Sequence, residues 1–240
     1  MATRLNFWRQ PLGTVPEAVW QAAAELEVLI LAETGLTALP AGIGRLSRLR
    51  TLDLGHNALT AVPEELGLLT ALTDCLYLHD NRLTELPAAL GGLSGLRYLN
   101  VGGNRLTGLP EEIGGMAGLV ELRAQHNRLA GLPESVGRLS RLRELWLRGN
   151  ALTGLPASLA GLRELRELEL RENALTRVPE PLAGLPLLRR LDLRSNRITE
   201  LPDWVVGLPS LEKLDLRWND LDASPRLLAE LARGGCTVLV

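Results

Sequence analysis

Residues 49–63 read LRTLDLGHNALTAVP and follow the pattern LxxLxLxxNxLxxLP, with Val62 at the last leucine position. The pattern recurs along the chain with a nearly constant period. Its asparagines stand 24 and then six times 23 residues apart, at Asn57, Asn81, Asn104, Asn127, Asn150, Asn173, Asn196 and Asn219. A proline follows each asparagine by six residues, and the same phase continues upstream at Thr34 and Gln10. A fixed period of this length is typical of repeat architectures.

Each repeat predicts one short strand followed by a return segment. In the LDL of residues 52–54, alternation directs both leucines to one face and the residue between them to the other. The proline removes an amide donor and fixes φ, so the segment after it cannot join the sheet and follows an extended or short-helical path. Strands one turn apart then pair in parallel, and we expect a curved solenoid.

The asparagine column predicts a buried structural element. An amide side chain both accepts and donates hydrogen bonds. It can therefore satisfy the backbone groups that lose their partners where each strand bends away. We expect the loss of one asparagine to leave buried polar groups without partners, at a cost of about 1–3 kcal/mol.

These motifs resemble the leucine-rich repeat family in its 23-residue form, as found in intracellular Ras-suppressor-like proteins and bacterial relatives. The resemblance covers nearly the whole chain. It implies an α/β fold, a right-handed horseshoe with a parallel concave β-sheet and short helical or extended convex segments. Departures from the pattern are Gln10 and Thr34 at asparagine positions, one extra residue near 73–75, and another between Pro16 and Leu26. The local register there is open by one residue.

We expect one solenoid domain over residues 1–240. It divides into an N-terminal capping turn over 1–25, nine repeats over 26–220, and a C-terminal capping helix and strand over 221–240. Caps of this kind cover the hydrophobic cross-section of the terminal repeats.

The two caps have separate sequence signals. Residues 4–10 predict a first strand, with Leu5 and Phe7 in the phase of the inward leucines. At the other end, Ser224 and Pro225 predict the N-cap and first residue of a helix that Gly234 and Gly235 terminate. Val238 and Val240 are expected to face the last turn.

Composition excludes several classes of protein. The formal charge is −2, from 26 basic and 28 acidic side chains, which argues against nucleic-acid binding because phosphate contacts need a basic surface. No apolar run is long enough to span a membrane, and residues 1–10 lack a secretory signal. The two cysteines, Cys75 and Cys236, cannot form a disulfide framework. We expect a cytoplasmic monomer, with signal-independent secretion and self-association left open.

The concave face carries the predicted binding residues. The residues between and flanking the strand leucines point there, and they include all three histidines, both tyrosines and three of the five tryptophans. Tyrosine, tryptophan and arginine are enriched at binding hot spots. The predicted partner-binding residues are Trp8, Tyr77, His79, Tyr98, Arg123, His126, Trp146, Arg148, Arg171, Arg194, Arg217 and Trp218. The alternative is that the aromatic residues only pack laterally on neighbouring strands.

A column of four arginines occupies one repeat position in the C-terminal half. Arg148, Arg171, Arg194 and Arg217 lie beside an acidic column of Glu169, Asp192 and Asp215. Two interpretations remain open. Either the acids two residues away along each strand neutralise the arginines, or an acidic or phosphorylated partner docks on them.

The sequence predicts no catalytic residues, cofactor or metal. Cys75 and His79 are four strand residues, or roughly 13 Å, apart, which is too far for a nucleophile and its base. His56 and His79 lie on adjacent strands and, with Asp80, approach the composition of a metal site, but the extra residue leaves their register open. No phosphate-binding glycine motif precedes a helix.

The favoured function is therefore a non-enzymatic protein–protein interaction module, an adaptor, regulator or scaffold with a protein or peptide ligand on its concave face. A role in signalling follows only by analogy with the Ras-suppressor-like proteins. One alternative is a secreted bacterial effector that captures a host protein through the same residues. The other is a carbohydrate-binding module in which concave aromatic residues stack on sugars.

Overall fold

The computed structural model describes residues 3–222 and 225–240. These residues form a single parallel sheet whose eleven strands follow one another in chain order. The strands are β1 Thr3–Asn6, β2 Leu26–Ile30, β3 Thr51–Asp53, β4 Cys75–Tyr77, β5 Tyr98–Asn100, β6 Glu121–Arg123, β7 Glu144–Trp146, β8 Glu167–Glu169, β9 Arg190–Asp192, β10 Lys213–Asp215 and β11 Thr237–Leu239. The predicted α/β horseshoe is confirmed.

The return segments are mostly 3-10 helices. Within the described ranges there are eight of them, η1 Ala41–Arg45, η2 Glu64–Leu68, η3 Ala88–Gly92, η4 Glu111–Gly115, η5 Glu134–Arg138, η6 Ala157–Gly161, η7 Glu180–Gly184 and η8 Asp203–Gly207. Each begins directly after the repeat proline, whose extended backbone forms the N-cap position. Two α-helices, α1 Glu17–Gln21 and α2 Pro225–Arg233, lie near the two ends of the described chain. No described helix has the length and apolar character that crossing a membrane requires.

The strands from β2 to β11 pair in strict register, whereas the pairing of β1 with β2 shifts by one residue between Thr3 and Arg4. Leu52 pairs with Leu76, and Leu76 pairs with Leu99, so the inward leucines of successive strands stack on one another. The extra residue near 73–75 does not shift this pairing. Asp74 donates its backbone N–H to the carbonyl of Arg50 at 3.0 Å, so the chain is back in register before β4 begins.

The core is one continuous hydrophobic cluster between the sheet and the 3-10 helices. In the repeat that contains β3, Leu52, Leu54 and Leu59 are fully buried, and Leu66 covers them from η2. Burial of each such side chain stabilises the fold by about 1.5–3 kcal/mol. The concave strand residues project from the other side of the same sheet, so the core fixes the backbone that carries them.

The repeat asparagines bridge neighbouring turns below the concave surface. Asn104 donates from Nδ2 to the carbonyls of Leu78 at 3.0 Å and Val101 at 2.9 Å, and its Oδ1 accepts from the Leu83 N–H at 3.0 Å. Asn57 through Asn219 make the corresponding bonds. At an earlier repeat, Thr34 replaces asparagine, is completely buried, and donates its hydroxyl to the Leu31 carbonyl at 2.7 Å.

The residue before each asparagine position, including the positions of Thr34 and Gln10, has a left-handed backbone conformation. Its φ lies between 52° and 66° in ten successive turns, which are the N-terminal capping turn and the nine repeats. The ten residues, which we call the left-handed column, are Arg9, Glu33, His56, Asp80, Gly103, His126, Gly149, Glu172, Ser195 and Trp218. Residues other than glycine seldom adopt this backbone conformation. The turn therefore has a fixed direction in every repeat, and the side chain at this position projects from the edge of the sheet.

The two ends differ from the expectation in detail. The first strand ends at Asn6 and does not extend to residue 10, although Leu5 and Phe7 do pack against the core. Ser224 lies outside the described residues, and Gly235 follows α2 with a φ of 87°. The prediction that Val240 faces the last turn is wrong. It is 64% exposed, because it lies beyond Leu239, the last residue that pairs with β10.

Candidate functional site: the concave face

The concave side chains form three columns beside the left-handed column. The first column holds the first residue of each three-residue strand, and the middle column holds its third residue. The outer column holds the residue two positions after the middle-column residue. Tyr98 lies in the first column, and Tyr77, Arg123 and Trp146 lie in the middle column. The outer column holds Trp8, His79, Arg148, Arg171, Arg194 and Arg217, while His126 and Trp218 belong to the left-handed column.

Four of the predicted binding residues meet on strands β4 to β7. The ring centroids of Tyr77 and Tyr98 are 5.0 Å apart and their planes are tilted by 45°. The Arg123 guanidinium carbon lies 5.8 Å from the Tyr98 centroid and 5.1 Å from the Trp146 centroid. Such distances favour cation–π attraction. We call Tyr77, Tyr98, Arg123 and Trp146 the aromatic cluster.

The side chains of the aromatic cluster are half-buried. Burial raises the pKa of Tyr98, and burial together with a hydrogen bond to Cys75 raises the pKa of Tyr77 far above its ordinary range. Both phenols are therefore neutral at physiological pH. The cluster presents flat, uncharged rings with one guanidinium between two of them, which suits contact with a polypeptide.

The two predicted tryptophans outside the cluster lie at opposite ends of the sheet. Trp8 is 53% exposed and donates from Nε1 to Glu33 at 3.1 Å. Trp218 is 63% exposed, and the Arg217 guanidinium lies 5.3 Å from its ring centroid. The structure does not bring either tryptophan into the aromatic cluster.

The four arginines of the outer column share three carboxylates. Arg194 forms an ion pair with Asp192, and Arg217 Nη2 lies 2.8 Å from Asp215 Oδ2. Asp215 also lies 3.5 Å from Arg194, so it joins two repeats. Burial alone would raise the pKa of Asp215, but the hydrogen bonds from Arg217 and the charge of Arg194 outweigh it and lower the pKa.

The other two arginines do not pair as the sequence suggested. Arg148 Nε lies 3.1 Å from Glu172 Oε2, and Arg171 Nη2 lies 2.7 Å from Glu172 Oε1. Their partner is thus a residue of the left-handed column, which projects between successive outer-column side chains. Hydrogen bonds from Arg148 and Arg171 lower the pKa of Glu172. We call the four arginines with Glu172, Asp192 and Asp215 the arginine network.

Glu169 lies beside the arginine network without an ion pair of its own in the part of the chain that the structure describes. Burial, and then the charge of Asp192, raise its pKa. Glu169 and Trp146 both line a shallow cavity on the concave face, whose far side includes Asp215 and Arg194. The sequence pattern predicted that Glu169 pairs with an arginine, whereas Glu172 is the observed partner. Glu172 was not predicted, although it occupies a fixed position in the repeat.

A third group of polar side chains lies on the turns that follow β3 and β4. The ring centroids of His56 and His79 are 4.8 Å apart, and His56 Nδ1 lies 3.4 Å from Asp80 Oδ2. Burial, and then the charge of His56, lower the pKa of His79. The strict register of β3 with β4 removes the ambiguity that counts against this group in the sequence. His126 lies apart from it, with its ring over Gly149.

Family models support the repeat assignment. A model described as leucine rich repeat matches residues 24–83 and 165–221, and one described as leucine-rich repeat region matches residues 87–173. The chain is a leucine-rich repeat protein. No curated protein matches it.

Solved structures resemble this leucine-rich repeat protein over almost its whole length. A leucine-rich repeat protein of Leptospira interrogans is 31% identical with a TM-score of 0.90, and the match covers 98% of this chain and 65% of that one. The ectodomain of the Arabidopsis thaliana receptor kinase GASSHO1/SCHENGEN3, in complex with CASPARIAN STRIP INTEGRITY FACTOR 2, is 32% identical with a TM-score of 0.80. That match covers 98% of this chain and 30% of the ectodomain.

A further plant structure is the peptide hormone receptor RGFR1 in complex with RGF2. It is 28% identical with a TM-score of 0.77, and the match covers 98% of this chain and 47% of the receptor. All three proteins are longer than this leucine-rich repeat protein, which spans less than two thirds of each.

Proposed function

We propose that this protein is a non-enzymatic interaction module that binds an extended protein or peptide segment across its concave face. The aromatic cluster is the centre of the proposed binding surface. The observation that carries the proposal is the contact of Tyr77, Tyr98, Arg123 and Trp146 across four successive strands. Two of the similar plant structures are receptor complexes. One is the GASSHO1/SCHENGEN3 ectodomain with CASPARIAN STRIP INTEGRITY FACTOR 2, and the other is the peptide hormone receptor RGFR1 with RGF2. Both complexes support the proposal that this fold binds another molecule.

The dimensions of the aromatic cluster suit an extended chain. Neighbouring strands lie about 4.8 Å apart, so four strands span roughly 14 Å. An extended peptide advances about 3.3 Å per residue. Four or five residues therefore cross the cluster, and alternate side chains of the ligand can pack against its rings.

The arginine network supports the proposal in a different way. Its four guanidinium groups already have carboxylate partners within the protein. An acidic ligand would have to compete with those partners, whereas the rings of the aromatic cluster need no exchange of partners. We therefore place the main binding contribution on strands β4 to β7.

Selection of peptides tests the proposal when the natural partner is unidentified. The protein is used to select binders from a random peptide library displayed on phage, and the affinity of selected peptides is measured by isothermal titration. The double variant Tyr98→Ala, Trp146→Ala should weaken binding by at least about 2 kcal/mol, or roughly thirtyfold in Kd. Arg171→Gln should weaken binding less, because that guanidinium is already paired with Glu172.

The control is Leu68→Ala, which removes a side chain that is 64% exposed on a 3-10 helix away from the sheet. Its affinity should equal that of the wild type. Selected peptides that bind the double variant as tightly as the wild type would contradict the proposed surface. A larger loss for Arg171→Gln than for the double variant would move the binding site to the arginine network.

We also propose a reducing, cytoplasmic location, in which the protein serves as an adaptor or regulator. The support is the pair of cysteines, Cys75 and Cys236, both of which are free thiols. Fractionation of source cells with detection by a specific antibody tests this location. Recovery of the protein mainly from the culture medium would favour the alternative of a secreted protein that captures a host partner.

A further inference from the structure

We propose that His56, His79 and Asp80 form a binding site for a divalent transition-metal ion of the Zn²⁺ type. The site lies at the edge of the concave face, on the turns that follow β3 and β4. One nitrogen from each imidazole and one oxygen from the carboxylate lie within 4.8 Å of one another. The inference goes beyond the proposed function and does not depend on it.

The separation of two of the three ligand atoms matches that of a metal-bound set. Zinc binds histidine nitrogen and carboxylate oxygen at about 2.0–2.2 Å, so two ligands of a tetrahedral site lie about 3.3–3.5 Å apart. His56 Nδ1 and Asp80 Oδ2 are separated by 3.4 Å. The side chains of both residues are 50% exposed, so small rotations can bring all three ligand atoms to this spacing.

The backbone holds the three residues in a fixed relation. His56 donates its N–H to the His79 carbonyl at 2.9 Å, and Asp80 donates to the Gly102 carbonyl at 2.9 Å. His56 and Asp80 both belong to the left-handed column, so their side chains leave successive turns in the same direction. Metal binding at this place needs adjustment of side chains but none of the backbone.

Two glycines make room for the proposed ligands. A Cβ atom at Gly55 would lie 2.4 Å from Cε1 of His79, and one at Gly103 would lie 2.1 Å from Oδ1 of Asp80. The His79 ring therefore occupies space that any other residue at position 55 would fill. Nδ1 of His79 is buried there and has no hydrogen-bond partner among the described residues. Its lone pair or proton is not engaged by the protein.

The donor set indicates which class of ion would bind. Two imidazoles and one carboxylate suit zinc, cobalt and related ions, whereas Mg²⁺ and Ca²⁺ prefer sites made only of oxygen. Three protein ligands leave a fourth position open for water or for a group from a bound partner. The His79 and Tyr77 ring centroids are 5.9 Å apart, so the proposed site lies next to the aromatic cluster.

Titration of the metal alone tests the site, using the full chain after removal of any affinity tag. Zn²⁺ binding is measured by isothermal titration, and Co²⁺ is added in parallel because its visible absorption reports the ligand field. We expect one ion per chain. His56→Gln and Asp80→Asn should each weaken Zn²⁺ binding by at least about tenfold, a loss already typical when outer-shell partners of a metal are removed.

His126→Gln is the matched control. His126 occupies the same repeat position as His56, but its neighbours in the left-handed column are Gly103 and Gly149, which offer no ligand. This variant should bind Zn²⁺ as the wild type does. The proposal is overturned if the wild type shows no saturable Zn²⁺ binding, if His56→Gln and Asp80→Asn retain full affinity, or if His126→Gln loses as much. Circular dichroism confirms that each variant is folded.

Discussion

The aromatic cluster and the arginine network lie on the same sheet but satisfy their side chains in different ways. In the aromatic cluster, half-buried rings pack on one another and on Arg123, whose guanidinium is paired with Glu121, and the ring faces need no charged partner. In the arginine network, carboxylates from the same face occupy the guanidinium groups. A conspicuous column of like charges is therefore no sign of a docking surface by itself. What matters is whether the protein already supplies the partners.

The largest expected effect tests whether the two regions rest on the same framework. Asn81 underlies the aromatic cluster and Asn196 underlies the arginine network, and each side chain is 8% exposed. Both donate to carbonyls of their own and the preceding repeat and accept from a backbone N–H of that repeat. Asn81→Ala and Asn196→Ala should each lower the free energy of unfolding by about 1–3 kcal/mol, because buried backbone groups lose their partners.

Denaturant unfolding followed by circular dichroism measures both losses. The matched controls are Arg82→Ala and Arg197→Ala, which change the exposed residue directly after each asparagine. Both controls should remain within about 0.5 kcal/mol of the wild type. A loss at Asn196 that differs from the loss at Asn81 by more than about 1 kcal/mol would mean that the framework itself differs between the regions.

The next prediction isolates the charges of the arginine network. Asp53 and Asp215 both lie in the middle column, and each accepts a hydrogen bond from the backbone N–H two residues later. Only Asp215 also binds two arginines. Asparagine can keep the backbone bond, as Asn100 does with Gly102 at 3.0 Å. Asp215→Asn should therefore cost about 1–2 kcal/mol of unfolding free energy, and Asp53→Asn less than about 0.5 kcal/mol.

The pH dependence of this difference has a definite sign. Because the pKa of Asp215 is lowered in the folded state, its contribution is fully present above the ordinary value of 3.8. The contribution is lost as the pH falls through the lower, folded-state pKa. Thermal unfolding of wild type and Asp215→Asn should differ most near neutral pH and converge in strong acid. A gap of the same size throughout would show that the carboxylate charge is not responsible.

The repeat pattern was sufficient to predict the fold because each repeat carries the same few constraints. Leucine alternation sets the strand, proline ends its pairing, and asparagine bridges the turns, so the average path follows from local sequence. Departures at the ends, such as exposed Val240, could not be predicted in this way. A terminal turn lacks one neighbour, and the number of neighbours decides whether an alternating residue is buried.

The concave face was predictable in position but not in pairing. The columns follow from the period of two along each strand, whereas the contacts of long side chains depend on rotamers and on neighbouring repeats. Glu172 shows the difference, since it binds Arg148 and Arg171 from a left-handed turn that the sequence does not mark. The metal-site candidate was obscured for a related reason, because the extra residue before β4 left its register open.

The smallest expected effect concerns Glu169, at the border between the two regions. Its carboxylate is half-buried and close to Asp192, and both features raise its pKa. A carboxyl group whose pKa is raised on folding lowers stability above that pKa, so Glu169→Gln should leave the unfolding free energy unchanged or raise it by less than about 1 kcal/mol. Glu167→Gln is the contrasting control, because Glu167 pairs with Arg190 at 3.1 Å and its loss should slightly destabilise the protein.

Differential scanning calorimetry at several pH values measures the effect of Glu169. Protonation of Glu169 in the wild type relieves the same burial and repulsion that Glu169→Gln removes. The difference in melting temperature between the two proteins should therefore shrink as the pH falls toward the ordinary value of 4.5. If Glu169→Gln instead lowers the melting temperature at neutral pH by more than Glu167→Gln does, then Glu169 has a cationic partner. The arginine network would then extend to the edge of the aromatic cluster, and the boundary between the two regions would lie at Trp146.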